Sequence, residues 1–240
     1  MIEIKNLRKR HGRKEVLHHI SFAVEPGRIT GFLGSNGAGK SSTLRILLGL
    51  DRATSGTALI NGVAYREMPN PMQSVGAMLD GPGASKGRSA TDHLRWMCIS
   101  NGIPRSRVHE VLEVVGLERN AKDKVGTFSL GMGQRLGIAS ALLGHPGVLV
   151  LDEPTNGLDP DGLRWLRTFL QDQARTGSTV LVSSHLMAEM EAIADDLVVI
   201  SDGAIVSTGT VTAVRGQHSS LESAFFELTG AHTSRLDKRA

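Results

Sequence analysis

Short apolar runs alternate along the chain with segments whose apolar residues recur every three or four positions. The runs at 29–33, 148–151 and 179–183 predict strands that are buried on both faces, as in a parallel sheet. The apolar positions that follow residue 40, and those at 163–170, predict helices that connect such strands. This pattern predicts an α/β fold with a largely parallel sheet.

Two parts of the chain depart from this alternation. The runs at 20–24 and 57–60 lie near glycine or proline and predict an antiparallel β edge in the N-terminal part. From about 83 to 143 the strand pattern disappears, and two amphipathic helix patterns are separated by a break at 101–104. We therefore expect an inserted helical subdomain at 83–143 within a mixed α/β core.

Composition narrows the class of protein. The chain has 240 residues, of which 40% are hydrophobic, so it can bury a substantial core. The net charge of +3 is small and its Lys and Arg residues are dispersed, which argues against a nucleic-acid partner. Its apolar runs are far shorter than the roughly 20 residues of a membrane span, and its single cysteine offers no intrachain disulfide. We expect a cytoplasmic protein with one domain over 1–230 and a polar tail at 231–240.

A glycine-rich segment directly after the first buried run predicts a nucleotide site. Its glycines allow a tight loop whose backbone N–H groups face phosphate, and the helix that follows directs its positive end toward the same place. Lys40 can reach the terminal phosphates, and the Ser41 hydroxyl can ligate Mg²⁺. The segment consists of Gly34, Ser35, Asn36, Gly37, Ala38, Gly39, Lys40, Ser41 and Ser42.

Two adjacent carboxylates follow the run at 148–151. Asp152 is expected to hold Mg²⁺ through its water shell, because Mg²⁺ loses water reluctantly. Glu153 is then available to polarise an attacking water as a general base. The alternative is that both carboxylates only cap the turn before Pro154.

A second glycine-containing segment begins at Ser129. Glycines that open a helix at 131–143 cost roughly 1 kcal/mol each relative to alanine, so an anion at this helix start is a natural candidate. Ser129 can cap the helix and also donate to a phosphate, although an ordinary capped helix would have the same pattern. The segment is Ser129, Leu130, Gly131, Met132, Gly133 and Gln134.

These segments, taken with His185 after the predicted strand at 179–183, resemble the ATP-binding cassette (ABC) ATPases in fixed order over nearly the whole chain. The resemblance implies a P-loop NTPase core that uses ATP and Mg²⁺, with Glu153 and His185 as catalytic residues. His185 would hydrogen-bond the γ-phosphate. A lone histidine is more often an ordinary surface or core residue, and the chain has nine histidines. The catalytic assignment of His185 therefore rests on its position after the predicted strand.

The resemblance also implies a second copy of the chain. In ABC ATPases the segment that is 129–134 here contacts the ATP of the other subunit, so the active site is completed only in a head-to-tail dimer. Asp159 matches the loop that couples the paired sites. The alternative for Asp159 is an N-cap of a helix at 161–175.

Three positions depart from the family pattern. Asp80 stands where the family usually has Gln or Glu as a magnesium and water ligand, and its side chain is shorter. His11 occupies the region of an aromatic residue that stacks on adenine, so His11 and Val16 are expected to contact the base with less ring area. Leu130 replaces a usual glycine, a variant that is familiar in exporter-type members.

The segments 203–209 and 220–226 resemble the end of the ABC-2 drug-export and antibiotic-resistance ATPases. This resemblance implies a homodimeric ATP-binding subunit that lies on the inner face of the cell membrane through an integral-membrane permease. Two alternatives stay open: a soluble ABC ATPase of DNA repair or cluster assembly, and a nucleotide-binding regulatory module with poor hydrolysis. The coiled-coil insertion of repair members is missing from the sequence, and the presence of Glu153 and His185 argues against poor hydrolysis.

Overall fold

The computed structural model describes residues 1–79, 81 and 83–237, with side chains as far as 230. Its contacts cluster into two compact units, one formed by residues 1–68 with those from 170 onward and the other by 69–169. The strands are β1 (Ile2–His11), β2 (Lys14–Val24), β3 (Ile29–Leu33), β4 (Ser55–Ile60), β5 (Val75–Met78), β6 (Val148–Asp152), β7 (Thr179–Ser184), β8 (Asp196–Ser201) and β9 (Ala204–Thr210). The α-helices are α1 (Lys40–Leu47), α2 (Pro71–Ser74), α3 (Ala90–Ser100), α4 (Arg107–Val114), α5 (Leu130–Leu142), α6 (Pro160–Arg175), α7 (Met187–Ile193), α8 (Val211–Arg215) and α9 (Leu221–Asp237).

The first unit contains a three-stranded antiparallel sheet in the order β2-β1-β4. Ile2 pairs with Val24 on one side and with Ile60 on the other, and all three side chains are buried. Apolar residues alternate with polar ones along β1 and β2, as expected when one face of a sheet packs on a core and the other meets solvent. The predicted antiparallel N-terminal edge is confirmed.

The same unit contains the strands β7-β3-β8-β9 as neighbours. β7 and β8 run parallel to β3, and β9 runs antiparallel to β8. Every residue of β3 is buried, which explains its uninterrupted apolar sequence. The rings of Phe22 and Phe32 lie 5.2 Å apart between the two sheets and help to form the core of this unit.

In the second unit β5 and β6 form a parallel pair. Among the described residues of 83–143 there are helices and turns but no strand, as the sequence predicts for this segment. Helix α4 is held by a buried stripe at Val108, Val111 and Leu112, the spacing of one helix face. Within α5 the side chains from Leu136 onward are almost continuously buried.

These observations confirm the mixed α/β class. Helix α9 extends through Asp237, so most of the segment expected to be a polar tail is helical. The sequence-based boundary lay at Gly230, and a helix tolerates one interior glycine at a cost of roughly 1 kcal/mol. No helix in the described part of the chain is both long enough and apolar enough to cross a membrane.

Candidate functional site

The glycine-rich loop connects β3 to α1 in the first unit. A Cβ atom added at Gly34 would lie 2.6 Å from the carbonyl oxygen of Ile200, so the loop leaves the strand where only glycine fits. Gly39 has φ +114°, and a Cβ there would lie 2.7 Å from Leu17 Cδ2. The intervening residues 35–37 are exposed. The loop is thus anchored at both ends and open to solvent at its top.

Lys40 folds back across this loop. Its side chain is buried, and Nζ donates to the carbonyl oxygen of Gly34 at 2.7 Å. At the helix start, the Thr43 hydroxyl donates to the Gly39 carbonyl oxygen at 2.9 Å. Ser41 is exposed and Ser42 is half-buried in the first turn of α1. The Lys40 side chain, the N-terminus of α1 and the exposed residues of the loop therefore belong to one short segment, which suits a phosphate chain.

His185 lies at the same edge of the sheet as this loop. Leu33 pairs with Ser184 in the parallel register of β3 and β7, so Gly34 and His185 each follow directly after paired residues. Neighbouring strands are about 4.8 Å apart, which places the two chain segments side by side. The Ser184 hydroxyl accepts from the Leu186 backbone N–H at 2.9 Å and holds the turn before α7. The structure thus brings the predicted histidine to the predicted phosphate loop.

The two residues predicted to contact the base lie on the first hairpin. The Val16 carbonyl oxygen is 3.2 Å from the position of a Cβ at Gly39, so Val16 borders the loop. His11 is exposed at the tip of the hairpin, opposite Lys14. The pKa of Asp51 is lowered chiefly by a hydrogen bond from the Lys9 ammonium at 2.6 Å and slightly by His11. The structure therefore places Val16 at the loop and His11 at the exposed tip of the hairpin.

The predicted metal and catalytic carboxylates lie in the second unit. Asp152 is the last residue of the fully buried strand β6, and it is 7% exposed. Glu153 follows with φ +49°, a left-handed conformation that costs a non-glycine residue roughly 1–2 kcal/mol. Such strained residues occur preferentially at functional sites. Asp80, the further predicted metal ligand, lies outside the described residues.

The segment at 129–134 opens α5, one residue before the predicted start. The Ser129 hydroxyl accepts from the Met132 backbone N–H at 3.2 Å, which is the N-cap that the sequence predicts. Ser129 and Leu130 are exposed, whereas Gly133 and Gln134 are buried. Only the first turn of this segment is therefore open to a ligand or partner.

This first turn packs on the loop that follows Glu153. A Cβ added at Gly157, whose φ is +74°, would lie 2.2 Å from Leu130 Cδ2, so the leucine covers this glycine. A Cβ at Gly131 would lie 3.1 Å from the Gly157 carbonyl oxygen. Asp159 Oδ1 accepts from the Gly162 N–H at 2.7 Å and caps α6, which is the alternative role weighed for it. The sequence analysis missed the contact of Leu130 with Gly157, although Leu130 stood out as a departure from the family pattern.

Comparison with known proteins identifies the family to which this chain belongs. Residues 17–156 match the family model described as ABC transporter. The bacitracin transport ATP-binding protein BcrA of Bacillus licheniformis is 40% identical over 86% of this chain and 68% of its own length. A solved structure of an ATP-binding subunit of an ABC transporter superimposes with a TM-score of 0.86, at 29% identity, over 95% of this chain and 99% of the other.

A second solved structure shows a related fold in an assembled state. It is a dimeric ATP-binding cassette in a post-hydrolysis state with ADP and Pi, and it matches with a TM-score of 0.76 at 22% identity over 88% of this chain and 98% of that chain. The chain belongs to the ABC transporter family as one of its ATP-binding proteins. The predicted class of enzyme, an ATPase of a transporter, is confirmed.

Proposed function

We propose that two copies of this chain bind two ATP molecules head to tail. The loop at 34–42 of one copy would hold each nucleotide from one side, and the Ser129 helix start of the other copy would contact its γ-phosphate. The observation that carries this proposal is the capped first turn of α5, in which Ser129 and Leu130 are exposed at a helix N-terminus suited to an anion. Asp159, two residues after Gly157, would reach the second copy from the same side.

Different residues of the chain would have different roles in ATP hydrolysis. Lys40 and the loop N–H groups would neutralise phosphate charge, and His185 would donate to the γ-phosphate from the adjacent strand. Glu153 would act as the general base for water, and its left-handed backbone is a strain of the kind found at functional sites. His11 and Val16 would contact the base.

The donors fit a magnesium ion. Mg²⁺ prefers oxygen and is commonly held by one or two protein side chains together with substrate phosphates. The Ser41 hydroxyl and the Asp152 carboxylate are oxygen donors at the start of α1 and the end of β6. When bound, the ion would neutralise charge on the β- and γ-phosphates.

Asp80 is proposed as a further ligand of the ion or its water. If it has this role, Asp80→Ala raises the magnesium concentration needed for half-maximal hydrolysis, whereas Asp80→Gln largely preserves it. Steady-state rates across a magnesium titration measure the difference. An Asp80→Ala protein with the parent rate and the parent magnesium dependence would show that this position lacks the role.

The proposed partner is an integral-membrane permease, and the proposed direction is export. One relative is named as a bacitracin transport protein. The segment at 83–143 carries two exposed apolar side chains on α3, Trp96 at 52% and Ile99 at 61% exposure. Exposed apolar groups of this size mark interaction surfaces. Docking there would place the chain at the inner face of the membrane.

This surface can be tested by co-purification of the chain with its proposed permease. We expect Ile99→Glu to abolish co-purification from detergent, because a carboxylate would be buried against the partner. Val63→Glu provides the matched control, since Val63 is also an exposed apolar residue but lies in the other unit. Equal capture by both variants would contradict docking through α3.

The shared site is tested by mixing two inactive variants. Lys40→Met removes the loop cation, and Ser129→Asp keeps a good helix cap while it places a carboxylate against the phosphates. Each variant alone should be inactive. In a mixed dimer one site combines the intact loop of one copy with the intact Ser129 of the other, so an equal mixture should regain roughly a quarter of the parental rate.

A mixture that stays inactive, while the parent is active, would show that each chain hydrolyses ATP within its own residues. The parental chain diluted with an equal amount of Lys40→Met protein controls for loss of activity on mixing.

A further inference from the structure

The C-terminal end of α4 meets both α5 and α6. The final carbonyl groups of a helix have no partner within the helix. Here the Val115 carbonyl oxygen accepts from Arg135 Nη1 of α5 at 2.8 Å. The Val114 carbonyl oxygen accepts from Trp165 Nε1 of α6 at 3.3 Å. Two different helices therefore cap the same helix end.

The two capping side chains also contact each other. The Arg135 guanidinium carbon lies 4.2 Å from the centre of the Trp165 ring, within the range of a cation–π interaction. The Trp165 ring also stacks on Phe169 at 5.6 Å with an interplanar angle of 12°. The guanidinium cation is also favoured near the negative end of the α4 dipole. Arg135 and Trp165 thus join α4, α5 and α6 at one point.

The contact of Arg135 with Trp165 lies equally far from the start of α5 and from the start of α6. Arg135 is six positions after Ser129, and Trp165 is six positions after Asp159. At the helix starts, Leu130 covers Gly157 in the loop directly before the Asp159 cap, and so joins the first turn of α5 to the segment that leads into α6. We call the first turns of α5 and α6, with their caps Ser129 and Asp159, the helix-start pair. The contact of Leu130 with Gly157 at the helix starts and the contact of Arg135 with Trp165 farther along the helices together fix the angle and spacing of the helix-start pair.

We infer that Arg135 and Trp165 are positioning residues that set the helix-start pair for the nucleotide and surface of the second copy. The inference rests on the proposed two-copy site. A bound triphosphate contacts Ser129 correctly only if the first turn of α5 is held to within a fraction of an ångström. Neither side chain touches the nucleotide in this role. Both act through the direction of the two helices.

If Arg135 and Trp165 have this role, replacing them should weaken dimerisation without weakening the binding of ATP to the monomer. Trp165→Leu removes the ring under the guanidinium, and Arg135→Leu removes the cation and its hydrogen bond. Each should weaken ATP-dependent dimerisation of a Glu153→Gln protein by about 3- to 30-fold. The affinity of the monomer for ATP should change by less than about twofold, because the loop at 34–42 belongs to the other compact unit.

Conservative variants separate positioning from general stability. Trp165→Phe keeps an aromatic face for Arg135 and should retain most of the dimer affinity, whereas Arg135→Lys keeps the charge but loses the planar stack. Arg164→Leu is the matched control. It removes a cation from the same turn of α6, where the guanidinium pairs with Asp161 of its own helix, and it should dimerise like the parent.

The experiment is sedimentation of the Glu153→Gln chain and its variants across protein concentration with ATP, with fluorescent-nucleotide titration of each monomer. Weakened dimerisation with unchanged monomer affinity, and recovery in Trp165→Phe, support the inference. If the Glu153→Gln parent dimerises with ATP and the Arg135 and Trp165 variants dimerise equally well, the positioning role is wrong while the two-copy site stands. A parent that stays monomeric with ATP overturns the two-copy site and this inference with it.

Discussion

Leu33 and Ser184 are paired in the parallel register of β3 and β7, and each is the last residue of its strand. The phosphate loop therefore begins beside His185, although about 150 residues separate them along the chain. Parallel strands place their carboxyl ends at one edge, where nucleotides are commonly bound in α/β proteins. This register is the physical basis for assigning His185 to the nucleotide site.

We expect His185→Ala to bind ATP with nearly parental affinity and to lose hydrolysis by about 10²–10³-fold, the usual effect of deleting one donor to a developing charge. Nucleotide titration and steady-state phosphate release measure the two properties. His109→Ala serves as the control because His109 is exposed on α4. Hydrolysis that is equal in both variants would remove His185 from the mechanism.

The contact of Leu130 with Gly157 predicts a non-additive effect on stability. Gly157→Ala places a Cβ 2.2 Å from Leu130 Cδ2 and forces alanine into φ +74°, which should lower the free energy of unfolding by about 1–3 kcal/mol. In the double variant with Leu130→Ala the contacts with Cδ2 at 2.2 Å and Cγ at 2.3 Å are removed and only the contact with Cβ at 2.9 Å remains, so about 1 kcal/mol should be recovered. Urea unfolding of the four proteins tests this. Strictly additive losses would mean that the leucine does not cover the glycine in solution.

The buried histidine of α3 predicts a dependence of stability on pH. His93 is 4% exposed, and its Nε2 lies 3.3 Å from the Ser140 hydroxyl of α5. Burial, with a smaller contribution from the Arg88 charge, lowers the pKa of His93 below its ordinary value. As pH falls below about 6.5, the unfolded chain binds a proton that the folded chain binds only at lower pH, so folding is destabilised.

His93→Gln removes this titration and keeps an amide near Ser140, so its unfolding midpoint should fall less than that of the parent between about pH 7 and pH 5. Exposed His109→Gln should follow the parent, since its side chain meets solvent in both states. Chemical unfolding at the two pH values makes the comparison. Parallel losses in all three proteins would rule out His93 as a source of acid sensitivity.

Local sequence patterns predicted much of this structure. The run at 29–33 is β3 without change, and the patterns at 131–143 and 161–175 fall within one residue of α5 and α6. Buried strands and capped helices carry their signals in adjacent residues, which explains this agreement. Strand β1 was not predicted, because its polar residues alternate with apolar ones and its register is irregular.

The tertiary contacts of the candidate site were less accessible to sequence analysis. Nothing near Trp165 in the sequence indicates that its ring lies under Arg135, because the contact depends on the crossing of α5 and α6. The left-handed backbone of Glu153 likewise has no sequence signal, since glutamate is not a residue that favours positive φ. Motifs identified the residues at the site, whereas packing between distant segments sets how they are held.

Glu153→Gln should bind ATP and lose turnover by about 10²–10⁴-fold, because glutamine preserves the shape of the side chain but does not accept a proton from water. Phosphate release under saturating magnesium ATP measures the loss. Asp161→Asn is a suitable control, since this carboxylate is exposed and pairs with Arg164 on α6. Near-parental turnover by Glu153→Gln would contradict its assignment as the base.

In the proposed dimer each of the two bound ATP molecules contacts both copies of this chain. Static light scattering of the Glu153→Gln protein tests this arrangement, because slow hydrolysis preserves the triphosphate during the measurement. We expect the mass of a dimer with ATP and the mass of a monomer with ADP, since only the triphosphate presents a γ-phosphate to the Ser129 helix start. A mass that is the same with both nucleotides would contradict the shared site.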